Sequence, residues 1–292
     1  MSLSPACVCS SCPTHPAPTT SSPCPFYPSS SVTDAQWRIL EPLLPPPGTT
    51  RGKGGRPEKH PRRLILDAIF YLVRGGIAWA QLPRDFPPHQ TVYGIFGRWA
   101  KTGAWQRVHV ALRDLVRVHA ERDPLPTAAI IESQTVRGAD TVPTPSAGYD
   151  AGKKTKGRKR HIATDTMGLL LAVVVTAAHI QDRDGAHRLL AALRARFSTI
   201  SHVWADGGYA GRLLSWARKV LSFTVEVVKR TDKLTGFLVL PRRWVAERTF
   251  GWITKHRRCV RDYETLPAHH EAMVTIAMIM TMSRRLARTA DR

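Results

Sequence analysis

The chain has 292 residues, and its 43% hydrophobic content is enough to fill the core of one large domain or two ordinary ones. Lys and Arg number 43 against 22 Asp and Glu, which gives a net charge of +21. This excess is typical of proteins with a polyanionic partner, so we expect nucleic acid, although ribosomal or membrane-surface binding would also suit it. The apolar run over 272–282 is too short to span a bilayer, so we predict no transmembrane role.

The first 30 residues differ from the rest in composition. They contain no Lys, Arg, Asp or Glu and are rich in Ser, Pro and Thr. Such a segment cannot bury enough apolar surface to offset the entropy of ordering, so we predict a disordered leader over residues 1–30. A zinc site with His15 is the alternative, but the cysteine spacing lacks the paired knuckles of structural zinc modules. The cysteines concerned are Cys7, Cys9, Cys12 and Cys24.

Only Cys259 lies outside this leader, which is typical of a protein from a reducing compartment. The N-terminal stretch also lacks the basic region and continuous apolar run of a secretory signal. We therefore expect a cytoplasmic protein.

Residues 31–124 are predicted to form a small all-α domain. Thr33 or Asp34 can cap its first helix, because a side-chain oxygen there can accept a backbone N–H. Apolar residues then recur at helical spacing over three further segments, which are 64–73, 91–99 and 105–122.

The helices predicted over 64–73 and 91–99 form a helix-turn-helix candidate. The later helix carries Tyr93 and Arg98 on its polar side, so we expect it to contact DNA in the major groove. Helical hairpins are common, however, and this pattern alone is a weak indication of DNA binding.

A basic arm precedes these helices over residues 51–63, with six basic residues against one acid and several Gly and Pro residues. This composition predicts a mobile, positive segment that contacts DNA phosphates, whereas the alternative is a solvated loop. The expected contacts are Arg51, Lys53 and Arg56.

After Pro126 the pattern changes to alternating strands and helices, which we assign to a second domain over residues 125–290. The order of elements is strand, two paired strands, helix, strand, helix, strand, helix. This is the order of an α/β RNase H-like fold, a mixed sheet flanked by helices. The predicted strands are 128–131, 160–165, 169–178, 201–205 and 223–229, and the predicted helices are 185–197, 212–221 and 242–256.

Three carboxylates occupy positions that can converge on such a sheet. Glu132 directly follows the first predicted strand, Asp206 follows the strand over 201–205, and Glu247 lies in the last helix. Mg²⁺ requires hard oxygen ligands, and two ions about 4 Å apart can clamp both reacting oxygens of a phosphodiester. We therefore predict these residues as a catalytic, metal-binding triad. The alternative is that acids at strand ends simply face water.

The flanking sequence favours the catalytic interpretation. Asp206 is followed by Gly207 and Gly208, which allow a backbone to pass close to a ligand. Arg243 lies one helical turn before Glu247, so it could hold a phosphate while Glu247 holds the metal. An exposed ion pair between these two residues, stabilising by roughly 0.3–0.5 kcal/mol, is the alternative.

A second basic run lies between the first two strands, with six cations in the eight residues from Lys153 to Arg160. We expect it to contact the DNA backbone near the reacting phosphate, although charge runs are often just solvated surfaces. The predicted contacts are Lys153, Lys154, Lys156, Arg158, Lys159 and Arg160, and Lys255, Arg257 and Arg258 after the last helix are added to them.

Other acids and histidines of this domain are assigned structural roles. Asp165 is expected to serve the turn at 167–168, and Asp182 or Asp184 to cap the following helix. His161 is expected to be structural, because two-metal phosphoryl transfer needs no histidine base.

Residues 32–287 closely resemble the DDE transposases of bacterial insertion sequences, in particular the insertion-sequence-five group. The resemblance implies Mg²⁺-dependent cleavage at transposon ends, with Mn²⁺ as a substitute, and then attack of the freed 3′-hydroxyl on target DNA. It also implies a homodimer on double-stranded DNA. It rests on the two blocks around Asp206 and Glu247 and on Thr33-Asp34-Ala35-Gln36-Trp37, Gly55-Arg56-Pro57, Thr91-Val92-Tyr93, Lys156-Gly157-Arg158-Lys159-Arg160-His161 and Gln181-Asp182-Arg183-Asp184-Gly185-Ala186.

One position departs from the family, which has Asp where this chain has Glu132. The added methylene moves the carboxylate by on the order of an ångström, and catalytic sites tolerate about half of that. We therefore expect impaired strand cleavage. A relic or domesticated transposase that only binds DNA is the alternative, and a general RNase H-like nuclease fits the N-terminal helices less well.

Overall fold

The computed structural model describes residues 27–47, 57–228 and 243–290. Most of the predicted leader, together with Arg51, Lys53 and Arg56 of the basic arm, lies outside the described residues. No helix in the described ranges is long and apolar enough to cross a membrane.

In the described ranges, four α-helices precede the first strand. The first begins with a capping box, in which the Thr33 hydroxyl accepts from the Gln36 N–H and the Gln36 side chain accepts from the Thr33 N–H, both at 3.2 Å. The predicted Thr33 cap is thus confirmed. The helices are α1 (Asp34–Leu40), α2 (Arg62–Gly75), α3 (His89–Lys101) and α4 (Ala104–His119).

Among the residues that the structure describes, six strands form one mixed sheet. Its strand order runs β4, β3, β1, β5, β6, with the short β2 pairing beside the start of β3. β1, β5 and β6 are parallel, and β3 is antiparallel to β1 and β4. The RNase H-like fold is therefore confirmed, with β2 as an unpredicted addition. The strands are β1 (Ala128–Arg137), β2 (Gly148–Asp150), β3 (Thr155–Thr164), β4 (Leu170–Ala177), β5 (His202–Ala205) and β6 (Thr224–Val227).

Helices cover both faces of this sheet, and β1 alternates between them. Ile131 faces the cluster formed with α5 and α6, whereas Ile130 packs with Val245 and Ala246 of α7. The helices are α5 (Asp182–Arg196), α6 (Arg212–Leu221), α7 (Arg243–Thr254) and α8 (Pro267–Ala290).

The long helix α8 packs back onto the N-terminal helices. Met273 and Ile276 are fully buried in one cluster with Trp105 of α4 and Ile162 of β3. Within the same region the Gln36 amide donates to the Ser283 hydroxyl at 3.1 Å. The segments 31–124 and 125–290 therefore share a continuous hydrophobic core.

The first strand is longer than expected. Residues 130–137 pair with 164–157 of β3 in one unbroken register, which places Glu132 inside β1 rather than after it. The prediction that β1 ends at Ile131 was wrong, because the pairing continues through polar residues.

Two turn and cap assignments can also be compared with the fold. Asp165 accepts from the N–H groups of Met167 and Leu169, so its predicted role in the turn is confirmed. The cap of α5 is Gln181 rather than Asp182 or Asp184, and no side-chain cap bond forms there. That prediction was wrong.

Candidate active site

The carboxyl end of β5 lies beside the middle of β1, because β1 continues to Arg137. Ala128 pairs with His202 and Ile130 pairs with Trp204 in a parallel register. Glu132 lies two residues after Ile130 within β1, and Asp206 lies two residues after Trp204, directly after β5. Because neighbouring strands lie about 4.8 Å apart, continuation of this register places the backbones of the two acidic residues next to each other.

Asp206 is held by the turn that follows it. Its carboxylate accepts a hydrogen bond from the Gly208 N–H at 2.9 Å. Asp206 thereby caps a single 3-10 turn over Gly207–Tyr209. A Cβ added at Gly208 would lie 3.1 Å from that carboxylate oxygen. The glycine therefore allows the backbone to approach Asp206 closely.

Glu132 lies on the face of β1 that α7 covers. Alternate residues of a strand share a face, so Glu132 lies between Ile130 and Gln134 on this side. Ile130 packs with Ala246. Gln134 accepts a hydrogen bond from Arg160 at 2.9 Å.

The same neighbours locate Glu247 along α7. Arg160 lies over the Phe250 ring, 5.5 Å from its centroid. Glu247 thus lies between Ala246 and Phe250 along α7. Ala246 packs against Ile130 of β1, and Phe250 contacts Arg160 of β3. Glu247 itself is exposed at the margin of this covered face. The fold therefore brings Glu247 to the same level of the sheet as Glu132.

A buried tyrosine marks the place where several carboxylates approach one another. Tyr209 is completely buried, and burial is the main cause that raises the pKa of its hydroxyl well above the usual value. The negative charges of Glu132, Asp182 and Asp206 raise the pKa of Tyr209 further. Tyr209 therefore lies within electrostatic range of three carboxylates.

Asp182 is a member of this group that the sequence did not reveal. A Cβ at Gly208 would lie 3.7 Å from its carboxylate. The sequence contained an indication of this position, because Asp182 follows β4 and begins α5 at the same edge of the sheet. Lys159 forms an ion pair with Asp182 at 2.9 Å.

Residues 123–282, more than half of the chain, match the family described as "Transposase DDE domain". The chain belongs to this family, the DDE transposases of bacterial insertion sequences. Residues 32–109 match a second family, described as "Putative transposase of IS4/5 family". Both the N-terminal helices and the sheet therefore lie in regions that match transposase families.

Individual relatives are more distant. The transposase is 27% identical over 154 residues to the "Putative transposase for insertion sequence element IS402" of Burkholderia cepacia, covering 50% of this chain and 70% of that protein. It is 28% identical over 108 residues to the "Insertion element IS402 uncharacterized 16.2 kDa protein" of the same organism, covering 36% of this chain and 72% of that protein. An uncharacterized protein of Sinorhizobium fredii, y4sN, is 33% identical over 70 residues, covering 24% of this chain and 53% of that protein.

Four cations that we expected to contact DNA are turned into the interior of the transposase. Arg158 pairs with the buried Asp262 at 3.0 Å, and Arg258 pairs with Glu264 at 2.7 Å. Arg160 donates to the Cys259 carbonyl at 2.8 Å and to Gln134. Lys159 is buried with its ammonium on Asp182, as described above. The prediction that these four contact the DNA backbone was wrong, because their charges are bound within the protein.

The other predicted DNA contacts remain accessible. Tyr93 is 39% exposed on α3, and the other side chains in this group are also exposed, namely Arg98, Lys153, Lys154, Lys156, Lys255 and Arg257. The backbone of Arg243 begins α7, but its side chain lies outside the described part.

The residues present fit a divalent cation by their chemistry. In the ranges that the structure describes, no group of three or more His, Cys, Asp and Glu side chains is arranged to hold a metal ion. Mg²⁺, however, is usually bound by one or two carboxylates together with substrate phosphates rather than by a complete protein cage. Glu132 and Asp206 are the residues that could supply such a pair of carboxylates, whereas the structure does not gather Glu132, Asp206 and Glu247 into one metal-binding group.

Proposed function

We propose that this transposase cuts DNA at transposon ends and joins the freed 3′ ends to target DNA, using two divalent cations, Mg²⁺ or Mn²⁺. Glu132, Asp206 and Glu247 would hold the cations and form the catalytic triad. The main support is the parallel register of β1 and β5, which makes Glu132 and Asp206 neighbours. The reaction brings two ends together, so the active form would be a homodimer on DNA.

Each carboxylate comes from a different element, which fixes its position through the backbone. Glu132 is held by β1 between two paired strands, Asp206 by the turn after β5, and Glu247 by α7. Bound cations would stabilise charge on the attacking and leaving oxygens of the phosphodiester. The role of the protein is to present these carboxylates at a constant spacing, because catalytic geometry tolerates only about half an ångström of error.

The exposed cations would hold the DNA. Arg98 lies on the accessible side of α3, the candidate recognition helix, and Lys153, Lys154 and Lys156 lie in and beside the turn that leads into β3. Phosphate contacts position a duplex without reading its sequence, whereas side chains on α3 can reach base edges. We therefore infer that α3 recognises the transposon end and that the lysines hold the backbone near the carboxylates.

A nicking assay on end-labelled transposon-end DNA tests this function. The purified wild type should cleave in Mg²⁺ or Mn²⁺ and not in EDTA, and Asp206→Asn or Glu247→Gln should abolish cleavage while DNA binding remains. Asp140→Asn is the matched control, since Asp140 is an exposed acid beyond the far end of β1. Cleavage that survives both triad variants would refute the assignment.

Cation binding provides a second readout. Calorimetric titration with Mn²⁺ should detect binding to the wild type that is lost in Asp206→Asn. A wild type that binds end DNA, takes up no cation and makes no cut would instead be a DNA-binding protein without catalysis, the alternative that Glu132 raises.

A further inference from the structure

Basic side chains from three helices meet at one end of α7. Arg74 lies in the last turn of α2, Lys255 directly follows α7, and Arg284 and Arg288 lie one turn apart on α8. The Arg74 guanidinium donates to the Lys255 carbonyl at 2.7 Å, which joins two of these elements. We call these four residues the basic junction.

A buried histidine lies at the centre of the basic junction. His256 is 3% exposed, and its Nδ1 atom is buried without a hydrogen-bond partner. Burial is the first cause that lowers the pKa of His256 to about 3, and the charges of Arg74, Arg284 and Lys255 lower it further. The histidine is therefore neutral, and three cations lie close to it.

The positive charges of the basic junction are not balanced by acids. In residues 27–47, 57–228 and 243–290, none of its four members has a carboxylate within ion-pair distance, in contrast to Arg117 and Arg158, which each pair with an aspartate. Burial, followed by the charges of Arg74 and Arg288, lowers the pKa of Arg284. Clustered, partly desolvated cations repel one another, so an anion bound among them would relieve this repulsion.

An exposed stripe of α7 connects the basic junction to the candidate active site. Glu247, Gly251 and Lys255 follow one another at intervals of four residues, and all three are exposed. Eight residues of helix span about 12 Å from Glu247 to Lys255. A side chain at Gly251 would meet nothing within 4 Å, so the surface between the two ends is open.

We propose that the basic junction binds a backbone phosphate of the DNA strand that runs along α7 from the cleaved phosphate at Glu247. This inference rests on the proposed function. About 12 Å corresponds to roughly three or four base-pair steps of 3.4 Å, so the bound phosphate lies that far from the cut. Lys255 was expected from the sequence as a DNA contact, whereas Arg74, Arg284 and Arg288 were not.

The arginines of the basic junction retain donors for this anion. Arg74 uses one N–H group on the Lys255 carbonyl, and Arg284 uses one on the Ser29 carbonyl. A guanidinium carries five N–H donors, so both side chains can also bind phosphate oxygens.

Phosphate-ethylation interference on transposon-end DNA tests the position of the contact. With wild type, ethylation of phosphates three or four nucleotides from the cut should reduce binding. The double variant Arg74→Gln with Arg288→Gln should lose this interference, and the slope of log affinity against log salt should fall by about two units. The double variant Arg212→Gln with Arg218→Gln, at two exposed arginines of α6, is the matched control. An unchanged interference pattern in a folded double variant would overturn the proposal.

A second measurement separates this inference from the proposed function. Inorganic phosphate should raise the midpoint of thermal unfolding of the wild type above that in chloride of equal ionic strength, and the double variant should lose this difference. If the wild type never cuts DNA but phosphate stabilisation and the salt slope both depend on Arg74 and Arg288, the anion site stands and the proposed function fails. If the wild type cuts and neither measurement changes, the anion site alone is refuted.

Discussion

Arg117 of α4 forms an ion pair with Asp165 at the end of β3, and both side chains are buried. Asp165 also accepts two backbone N–H groups of the β3–β4 turn. On the other side of this turn the Thr249 hydroxyl of α7 donates to the Gly168 carbonyl at 2.8 Å. The N-terminal helices are thus connected, through one turn, to the helix that carries Glu247.

Removal of Arg117 should destabilise the fold strongly. In Arg117→Met the Asp165 carboxylate would remain buried without its cation, so the free energy of unfolding should fall by about 3–5 kcal/mol. Guanidinium denaturation monitored by tryptophan fluorescence measures this loss. Arg122→Met, at an exposed arginine just after α4, is the control, and an equal effect of both variants would show that the ion pair contributes little.

The exposed lysines before and at the start of β3 should control the salt dependence of DNA binding. Replacing Lys153, Lys154 and Lys156 by Gln removes three exposed cations, so the slope of log affinity against log salt should fall by about three units. Fluorescence anisotropy across a salt series measures the slope. The matched control replaces three exposed cations of α6, Arg212, Arg218 and Lys219, and a similar fall there would point to general electrostatic attraction instead.

Shortening Glu132 should increase cleavage. Glu132→Asp restores the residue expected from the family resemblance and withdraws the carboxylate by about one methylene, and such a displacement can change a rate roughly 10- to 100-fold. Single-turnover nicking of end DNA in Mg²⁺ gives the rate of each protein. Equal rates for the two proteins would mean that the site accommodates the longer side chain without loss.

Asp67 should make stability depend on pH. Burial raises the pKa of this carboxyl from 3.8 to about 7, although it accepts a hydrogen bond from the Val32 N–H at 2.6 Å. Because the folded pKa lies above the unfolded one, the stability contributed by the protonated form is complete below about pH 4. It is lost as pH rises to about 7, and it stays constant above that.

Asp67→Asn cannot ionise, so it should gain stability relative to wild type across this pH window, by on the order of 4 kcal/mol. Urea denaturation at pH 4, 5.5, 7 and 8 measures the difference between the two proteins. Asp184→Asn, at an exposed position, should track the wild type at every pH. A constant difference between Asp67→Asn and wild type would contradict the raised pKa.

The sequence predicted the elements whose signals are local. The helix over 212–221 matches α6, and Thr33 caps α1 as expected, because helical periodicity and capping depend on neighbouring residues. The succession of strands and helices was enough to predict the sheet. The sequence also placed Glu132 near Asp206, because it predicted both on parallel strands, but it wrongly took Glu132 to follow the end of its strand.

What the sequence could not provide were contacts between distant residues. The basic run before and within β3 gave no sign that Arg158 would be neutralised by Asp262, which is 104 positions away. The extension of β1 past Glu132 likewise depends on pairing with β3 and not on hydrophobic alternation. Local charge density therefore overestimated the number of cations available to DNA.

The position of α8 also has a consequence for biosynthesis. The apolar sides of α1 and α4 are covered by a helix that begins about 150 residues after α4 ends, at Pro267. A ribosome must therefore translate all the described strands of the sheet before the N-terminal helices can be enclosed. Products truncated before this helix would expose the apolar sides of α1 and α4, so we expect chaperones and proteases to remove them.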